Sequence, residues 1–139
     1  MSSRLYQGGI KELASAQSCP QSLPHFDRQV SVDNPFCGDR VDLQIELEAG
    51  KVTALAQDVR GCMLCQAAAN ALAQSAIGRS SAEIESVRNS LVAMLQGGNV
   101  DDWTPPGWES LALFEPARQY KSRHGCVTLP FTALLQALL

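Results

Sequence analysis

Residues 34–62 of this chain read NPFCGDRVDLQIELEAGKVTALAQDVRGC, and this stretch decides how the chain folds. Polar and apolar residues alternate through residues 40–48, which predicts a strand with one buried side and one solvent-facing side. Ala49-Gly50 is typical of a hairpin turn, and residues 51–60 are expected to return as the partner strand. The sequence therefore predicts an antiparallel hairpin.

The hairpin is expected to bring two cysteine-containing segments together. Cys37 and Asp39 stand just before its first arm, and Cys62 stands just after its second arm. Because the chain reverses at the turn, the start of the first arm and the end of the second are neighbours in space. Gly38 permits a tight turn, so the side chains of Cys37 and Asp39 can converge. We expect these three side chains to meet at one end of the sheet.

A four-ligand metal site needs one residue besides these three. Cys126 is the natural candidate, because it follows a glycine at a predicted loop-to-helix junction, as Cys62 does. Backbone amides and the helix dipole favour a thiolate at such a junction. Asp39 could instead serve only as a turn residue, and any single cysteine could be a small core residue. Agreement among four residues favours one site formed by Cys37, Asp39, Cys62 and Cys126.

The other segments add helices and one strand to the hairpin. The predicted architecture is α+β, with a small three-stranded antiparallel sheet and helices packed on one face. The predicted elements are a weakly amphipathic helix in residues 4–17, a strand over 28–33, an alanine-rich helix over 62–77, a helix that starts at the capping box Ser80–Glu83 and ends at Gly97-Gly98, a short helix in 109–120 interrupted near Pro116, and a final helix with an apolar stripe of Phe131, Leu134, Leu135 and Leu138.

Three further residues are interpreted by their surroundings in the sequence. Cys19 lies in a loop with two prolines, where we expect an incidental thiol in a mobile connection with nothing nearby to fix its geometry. Trp103 and Trp108 flank the Pro105-Pro106 pair. They are expected to anchor this connection in the core, the alternative being a partner surface.

Composition limits the classes of protein to consider. With 139 residues, 45% of them hydrophobic, the chain is expected to form a single domain over residues 1–139. A net charge of −3 argues against nucleic acid as the main partner. Five cysteines, an odd number, favour metal or thiol chemistry in a reducing compartment such as the cytoplasm over a disulfide framework. We expect no membrane partner, because no apolar run approaches the roughly 20 residues that span a bilayer.

Three motifs together resemble a known family. They are Asn-Pro-x-Cys-Gly-Asp at 34–39, Gly-Cys at 61–62 before a small-residue helix, and Arg-x-x-Cys-Val-x-Leu-Pro at 123–130. In this order they resemble the U-type iron-sulfur cluster assembly scaffolds IscU, SufU and the NifU N-terminal domain, whose fold is SufE/NifU-like. The resemblance covers roughly residue 4 to the C-terminus. It looks closer to the SufU type, because Gly125 stands where IscU proteins usually have histidine, and an LPPVK-like chaperone motif is missing.

The resemblance implies a function. A member of this family accepts sulfur from a cysteine desulfurase, here on Cys37, and builds or relays a labile [2Fe-2S] cluster for recipient apo-proteins. The implied ligands of the cluster, or of zinc at rest, are Cys37, Asp39, Cys62 and Cys126. Such a protein is a scaffold or sulfur carrier more than a turnover enzyme, although sulfurtransferase activity with the desulfurase is open.

Alternatives stay open at this point. The chain could be a zinc-dependent sulfur-transfer partner of the desulfurase with no scaffold role, or a zinc-stabilised structural module. A dithiol oxidoreductase that uses Cys62 and Cys65 ranks lower, because the parallel βαβ pattern of thioredoxin-like domains is absent. Cys65 stands where the family usually has serine, and Arg123, Cys65 and His124 are accessory candidates. Arg123 matches the arginine of the family, and His124 is displaced by one place from the family position.

Overall fold

The computed structural model describes residues 9–98 and 105–139, and its regular elements follow the predicted order closely. The three strands of the sheet precede the main helices along the chain, as the alternating pattern of the sequence predicts. The elements are α1 (Ile10–Ser15), β1 (Arg28–Asp33), β2 (Arg40–Glu48), β3 (Lys51–Arg60), α2 (Met63–Ser75), α3 (Ser81–Leu95), a 3₁₀ helix (Glu109–Gln119), a 3₁₀ turn (Lys121–Arg123) and α4 (His124–Leu138).

The sheet is antiparallel with the strand order β1-β2-β3. Ile45 in the central strand pairs with Arg28 of β1 and with Leu55 of β3. Ala49 and Gly50 join β2 to β3 with φ angles of 54° and 76°, the positive values that suit the twist of a tight hairpin. The predicted hairpin and its turn are confirmed.

The apolar side of the sheet faces the helices. Val41, Leu43 and Ile45 alternate along β2 and are fully buried. Helix α4 packs against β1 and β2, and α2 packs against β3. Gln44 points to the opposite side by alternation, where its Oε1 accepts a hydrogen bond from the Leu23 amide at 2.8 Å. The predicted α+β architecture is confirmed, and a loop lies over the face of the sheet opposite the helices.

Helix α3 begins with the predicted capping box. The Glu83 amide donates to the Ser80 hydroxyl at 3.4 Å, and the Ser80 amide donates to the Glu83 carboxylate at 3.3 Å. Trp108 is buried and contacts Phe131 of α4 with ring centroids 6.0 Å apart. Its predicted anchoring role is confirmed, while Trp103 lies outside the described residues.

Two predictions about local structure need correction. Residues 109–119 form a 3₁₀ helix that continues through Pro116, whereas a short helix interrupted there was expected. Cys19 is in a loop as predicted, but it is half-buried against the core, and Gln57 Nε2 lies 3.8 Å from its sulfur. Burial raises the pKa of the Cys19 thiol. The expectation that nothing nearby fixes its geometry was wrong, because Gln57 reaches it from β3.

The helix predicted in residues 4–17 is seen in part. Its described portion is α1, Ile10–Ser15, and residues 4–8 lie outside the described part of the chain. Ile10 and Leu13 of α1 are buried, and α1 packs against α2. In the described ranges, no helix has both the length and the apolar character to cross a bilayer.

Candidate metal centre

The turn between β1 and β2 places the first two predicted ligands. The Asn34 amide donates to the Asp39 carbonyl at 2.8 Å, and the Gly38 amide donates to the Asn34 carbonyl at 2.9 Å. Gly38 has a φ of 76°, which side-chain-bearing residues rarely adopt. The closed turn exposes Cys37 and buries Asp39, so the two side chains differ sharply in access to solvent.

The end of β3 meets the Asp39 carboxylate. The Cys62 amide donates to Asp39 Oδ1 at 3.2 Å, and Cys62 Sγ lies 3.5 Å from Asp39 Oδ2. A Cβ at position 61 would lie 2.8 Å from Asp39 Cγ, so glycine at this position gives the carboxylate its room. The prediction that the hairpin brings Asp39 and Cys62 together is confirmed.

Cys126 enters the site from α4. It lies in the first turn of this helix, one residue after Gly125, and is fully buried. Its Sγ lies 3.1 Å from Cys37 Sγ and 3.9 Å from Asn34 Nδ2. The two predicted ligand segments that are farthest apart in the sequence therefore meet in the fold.

Three of the four predicted ligand residues form a compact group. One ligand atom each from Cys37, Asp39 and Cys126 lies within 4.8 Å of the other two. Cys62 is not a member of this group, although it contacts Asp39 and so lies on its edge. The side chains of Cys37, Asp39, Cys62 and Cys126 thus lie next to one another at one end of the sheet.

The chemistry of this cluster suits a cation. Burial raises the pKa of the Cys126 thiol, and the neighbouring Cys37 and Asp39 raise it further. Acidic groups this close cannot all carry negative charge unless a positive ion compensates them. Three sulfurs and one carboxylate are ligands that zinc accepts in a tetrahedral site, so the residues present fit zinc.

The accessory candidates have other surroundings. Cys65 is fully buried in the core, and burial first, then the charge of Asp39, raises its thiol pKa. A ring nitrogen of His124 lies 3.1 Å from the Arg118 carbonyl oxygen, which commits that nitrogen to a backbone hydrogen bond. Arg123 is half-buried in the 3₁₀ turn before α4. The compact ligand group found among the described residues includes none of these three.

One contact of the site was missed at the level of sequence. Asn34 was interpreted only as the first residue of a motif, yet it is 6% exposed and touches both the turn and Cys126. The contact within the turn has a local signal, because an asparagine side chain often accepts a hydrogen bond from the backbone amide two residues later. Its contact with Cys126 depends on the packing of α4 and has no local signal.

A groove elsewhere does not contain the cluster. It has a volume of about 690 Å³ and lies beside Cys19, Gln57 and Asn70, between the segment after α1 and helix α2. None of the four predicted ligands lines it. The candidate centre therefore lies at the protein surface, where Cys37 is exposed to solvent, and it is separate from this groove.

Comparison with known proteins identifies the family. Residues 15–126 match the family described as NifU-like N terminal domain. The chain belongs to this family. Its curated relatives include the iron-sulfur cluster assembly scaffold protein IscU of Thermotoga maritima, 29% identical over 134 residues that cover 96% of this chain and 92% of the relative. Another is the zinc-dependent sulfurtransferase SufU of Bacillus subtilis, 28% identical over 105 residues that cover 76% and 70% of the two chains.

Solved structures of NifU-like proteins have the same fold. The crystal structure of a nitrogen-fixing NifU-like protein (N-terminal) from Brucella abortus gives a TM-score of 0.87 at 28% identity, covering 97% of this chain and 92% of that chain. A putative iron-sulfur cluster assembly scaffold protein for the SUF system from Fervidobacterium islandicum gives a TM-score of 0.88 at 21% identity, with full coverage of both chains. The second likeness shows the fold alone. The predicted membership of the U-type family is confirmed.

Proposed function

We propose that this chain is a single-domain iron-sulfur cluster assembly protein. It accepts sulfur from a cysteine desulfurase and builds or relays a labile [2Fe-2S] cluster on Cys37, Asp39, Cys62 and Cys126. The observation that carries the proposal is the meeting of ligand atoms from Cys37, Asp39 and Cys126 within 4.8 Å, with Cys62 in contact with Asp39. The name of the IscU relative, an iron-sulfur cluster assembly scaffold protein, supports the same role.

The donor set favours exchange over permanent storage. A structural zinc site usually has four cysteines, or cysteines with histidine. Here a hard carboxylate, Asp39, takes one place, and such a ligand holds a thiolate-rich centre less firmly than a fourth sulfur does. The centre is therefore suited to release what it holds to a recipient protein.

Access to the centre is unequal among its thiols. Cys37 is exposed, Cys62 is half-buried and Cys126 is fully buried. A macromolecular donor can reach a sulfur only where solvent also reaches it. Cys37 is the most exposed of the three thiols and is therefore the proposed sulfur acceptor, whereas Cys126 stays behind it as a ligand.

The transfer step needs only a thiolate and a persulfide. Zinc bound by these ligands would keep their sulfurs deprotonated at neutral pH. Cys37 Sγ attacks the outer sulfur of the persulfide on the desulfurase cysteine, so a new bond forms between Cys37 Sγ and that sulfur. The original sulfur–sulfur bond breaks, and the desulfurase cysteine leaves as a thiolate with the electron pair. No external oxidant or reductant is consumed in this step.

A second candidate function is sulfur transfer without cluster assembly. The relative named a zinc-dependent sulfurtransferase supports it, as does the exposure of Cys37, which serves transfer whether or not a cluster follows. This candidate uses the same four residues but holds only zinc. For either candidate we expect a reducing compartment such as the cytoplasm, where the thiols stay reduced.

A desulfurase assay tests the proposal. Turnover of a cysteine desulfurase from the same organism is measured with cysteine and a reductant, in the presence of this protein or its variants. We expect stimulation by the unmodified protein, no stimulation by Cys37→Ala, and normal stimulation by Cys19→Ala, a matched control outside the cluster. Turnover that is no higher with the unmodified protein than without it would overturn the proposal and leave a zinc-stabilised structural module.

The same reaction separates the two candidates. With ferrous iron added under anaerobic conditions, a scaffold gains the visible absorption of a [2Fe-2S] cluster. A sulfur carrier alone stimulates the desulfurase but gains no cluster absorption. Asp39→Ala in the same reaction then shows whether the cluster requires this ligand.

A further inference from the structure

We infer that Asn34 is a positioning residue of the metal centre, whose carboxamide joins the Cys37 turn to the Cys126 helix. The inference rests on the proposed metal site, and it assigns to Asn34 a role in holding Cys126 Sγ. Asn34 and Cys126 are 92 positions apart in the sequence, and Asn34 Nδ2 lies 3.9 Å from Cys126 Sγ.

The two ends of the Asn34 carboxamide have different partners. Its Oδ1 accepts a hydrogen bond from the Phe36 amide at 3.1 Å. Because an amide N–H is a donor only, the atom facing it must be the oxygen, and the NH₂ end must then face Cys126. The orientation of the side chain thus follows from the turn.

The backbone of Asn34 is fixed as firmly as its side chain. Its amide donates to the Asp39 carbonyl at 2.8 Å, and its carbonyl accepts from Gly38 at 2.9 Å. The residue is 6% exposed, so water has little access to its carboxamide. Asn34 therefore presents its NH₂ group to Cys126 from a rigid support.

The helix that carries Cys126 has room for this contact. A Cβ at position 125 would lie 2.7 Å from Asn34 Nδ2, closer than a Cβ approaches other heavy atoms. Gly125 therefore admits the carboxamide beside the first turn of α4. This gives a structural reason for glycine immediately before Cys126.

An N–H group aimed at a sulfur stabilises its negative charge. Hydrogen bonds to ionised acceptors are shorter and stronger than those to neutral ones, so we expect the 3.9 Å contact to shorten when Cys126 is a thiolate. Groups that orient metal ligands in this way typically change metal affinity by about 10–100-fold when they are removed. Asn34 is thus expected to set both the direction and the donor strength of Cys126 Sγ.

Cobalt binding tests the inference directly. Purified metal-free protein is titrated anaerobically with Co²⁺, and both affinity and the sulfur-to-cobalt charge-transfer band are recorded. Asn34→Ser keeps an oxygen that can accept from the Phe36 amide, but it cannot reach Cys126. We expect roughly tenfold weaker Co²⁺ binding or more, and a band shifted to lower energy because the thiolate has lost a hydrogen-bond donor.

A matched variant and a second perturbation accompany this test. Asn70→Ser removes carboxamide hydrogen bonds to the Leu13 and Ala14 carbonyls beside the groove that none of the four proposed ligands lines, and it should leave both readouts unchanged. Gly125→Ala keeps Asn34 but crowds its NH₂ group, and should weaken binding as Asn34→Ser does. It also keeps the inference testable if Asn34→Ser fails to fold.

The outcomes separate this inference from the proposed function. If the unmodified protein binds Co²⁺ through sulfur, but Asn34→Ser and Gly125→Ala match it in affinity and band energy, the positioning role is wrong and the metal site stands. If the unmodified protein shows no sulfur-to-cobalt band, the metal site and the inference fall together.

Discussion

The Sγ atoms of Cys37 and Cys126 lie 3.1 Å apart, although 89 positions separate these residues in the sequence. Cys37 belongs to the turn between β1 and β2, whereas Cys126 belongs to α4. Helix α4 packs against both of these strands. The docking of α4 on the sheet therefore assembles the candidate metal centre, and the centre exists only in the folded chain.

Metal affinity should rise with pH. The pKa of the Cys126 thiol is raised, first by burial and then by Cys37 and Asp39, so in the metal-free protein it keeps its proton at neutral pH. A metal must displace that proton, which becomes easier as the solution becomes more alkaline. Zinc competition with a chelator, followed from mildly acidic to mildly alkaline solution, should show tighter binding at each step. Affinity that does not change with pH would contradict the raised thiol pKa.

Gly61→Ala should weaken metal binding. The new Cβ would lie 2.8 Å from Asp39 Cγ and 3.1 Å from Asp39 Cβ, so the carboxylate must move as a whole. We expect zinc affinity to fall about 10–100-fold, the range seen when the support of a ligand is lost. Gly78→Ala is the matched control, because its Cβ meets open space although its φ of 86° carries backbone strain. If Gly78→Ala loses as much zinc affinity as Gly61→Ala, the effect is not local to Asp39.

Phe36→Ala should weaken the encounter with the desulfurase while it leaves the fold intact. Phe36 is 92% exposed and directly precedes the exposed thiol of Cys37, so a protein that reaches this sulfur must pass the ring. Burying such a side chain in an interface contributes about 1.5–3 kcal/mol, which corresponds to roughly tenfold or more in affinity. In the desulfurase assay, the concentration of this protein needed for half-maximal stimulation should rise by that factor.

The control for Phe36 is a residue with similar exposure far from the cluster. Ile77 is 54% exposed, and it follows α2 at the end opposite to Cys62. Ile77→Ala should stimulate the desulfurase at the concentration that the unmodified protein requires. If Phe36→Ala also stimulates the desulfurase at the concentration that the unmodified protein requires, Phe36 does not contribute to docking.

Much of the fold could be predicted from the sequence because its signals are local. The alternation along β2 gives a strand with one buried face, and the hairpin that follows brings Asp39 to Cys62 without long-range information. The capping box of α3 is likewise contained in four consecutive residues, 80–83. Elements with such local signals have the bounds that were expected, within a residue or two.

The features that were missed depend on contacts between distant segments. Gln57 reaches Cys19 from β3, and Asn34 reaches Cys126 in α4. Neither contact produces a pattern of polar and apolar residues that could be recognised in the sequence. The interruption predicted near Pro116 is wrong, because the 3₁₀ helix over residues 109–119 continues through this proline. The position of Cys62 outside the compact group also depends on packing between distant segments.

Cys65→Ala should leave metal binding and desulfurase stimulation unchanged. The Cys65 side chain is fully buried, and it does not belong to the compact ligand group of the described residues. Alanine is smaller than cysteine, so a stability loss of about 1 kcal/mol is expected from the small cavity. Thermal unfolding measures that loss, and zinc content measures the site. Loss of desulfurase stimulation in Cys65→Ala, with the fold retained, would revive the dithiol role of Cys62 and Cys65.

The central claim is that Cys37, Asp39, Cys62 and Cys126 share one metal ion. X-ray absorption at the zinc edge of the zinc-loaded protein measures this most directly, because it counts sulfur and oxygen neighbours separately. We expect three sulfurs at about 2.3 Å and one oxygen at about 2.0–2.2 Å, with one sulfur fewer in Cys126→Ser. A centre with four sulfurs, or one that keeps three sulfurs in Cys126→Ser, would contradict the account.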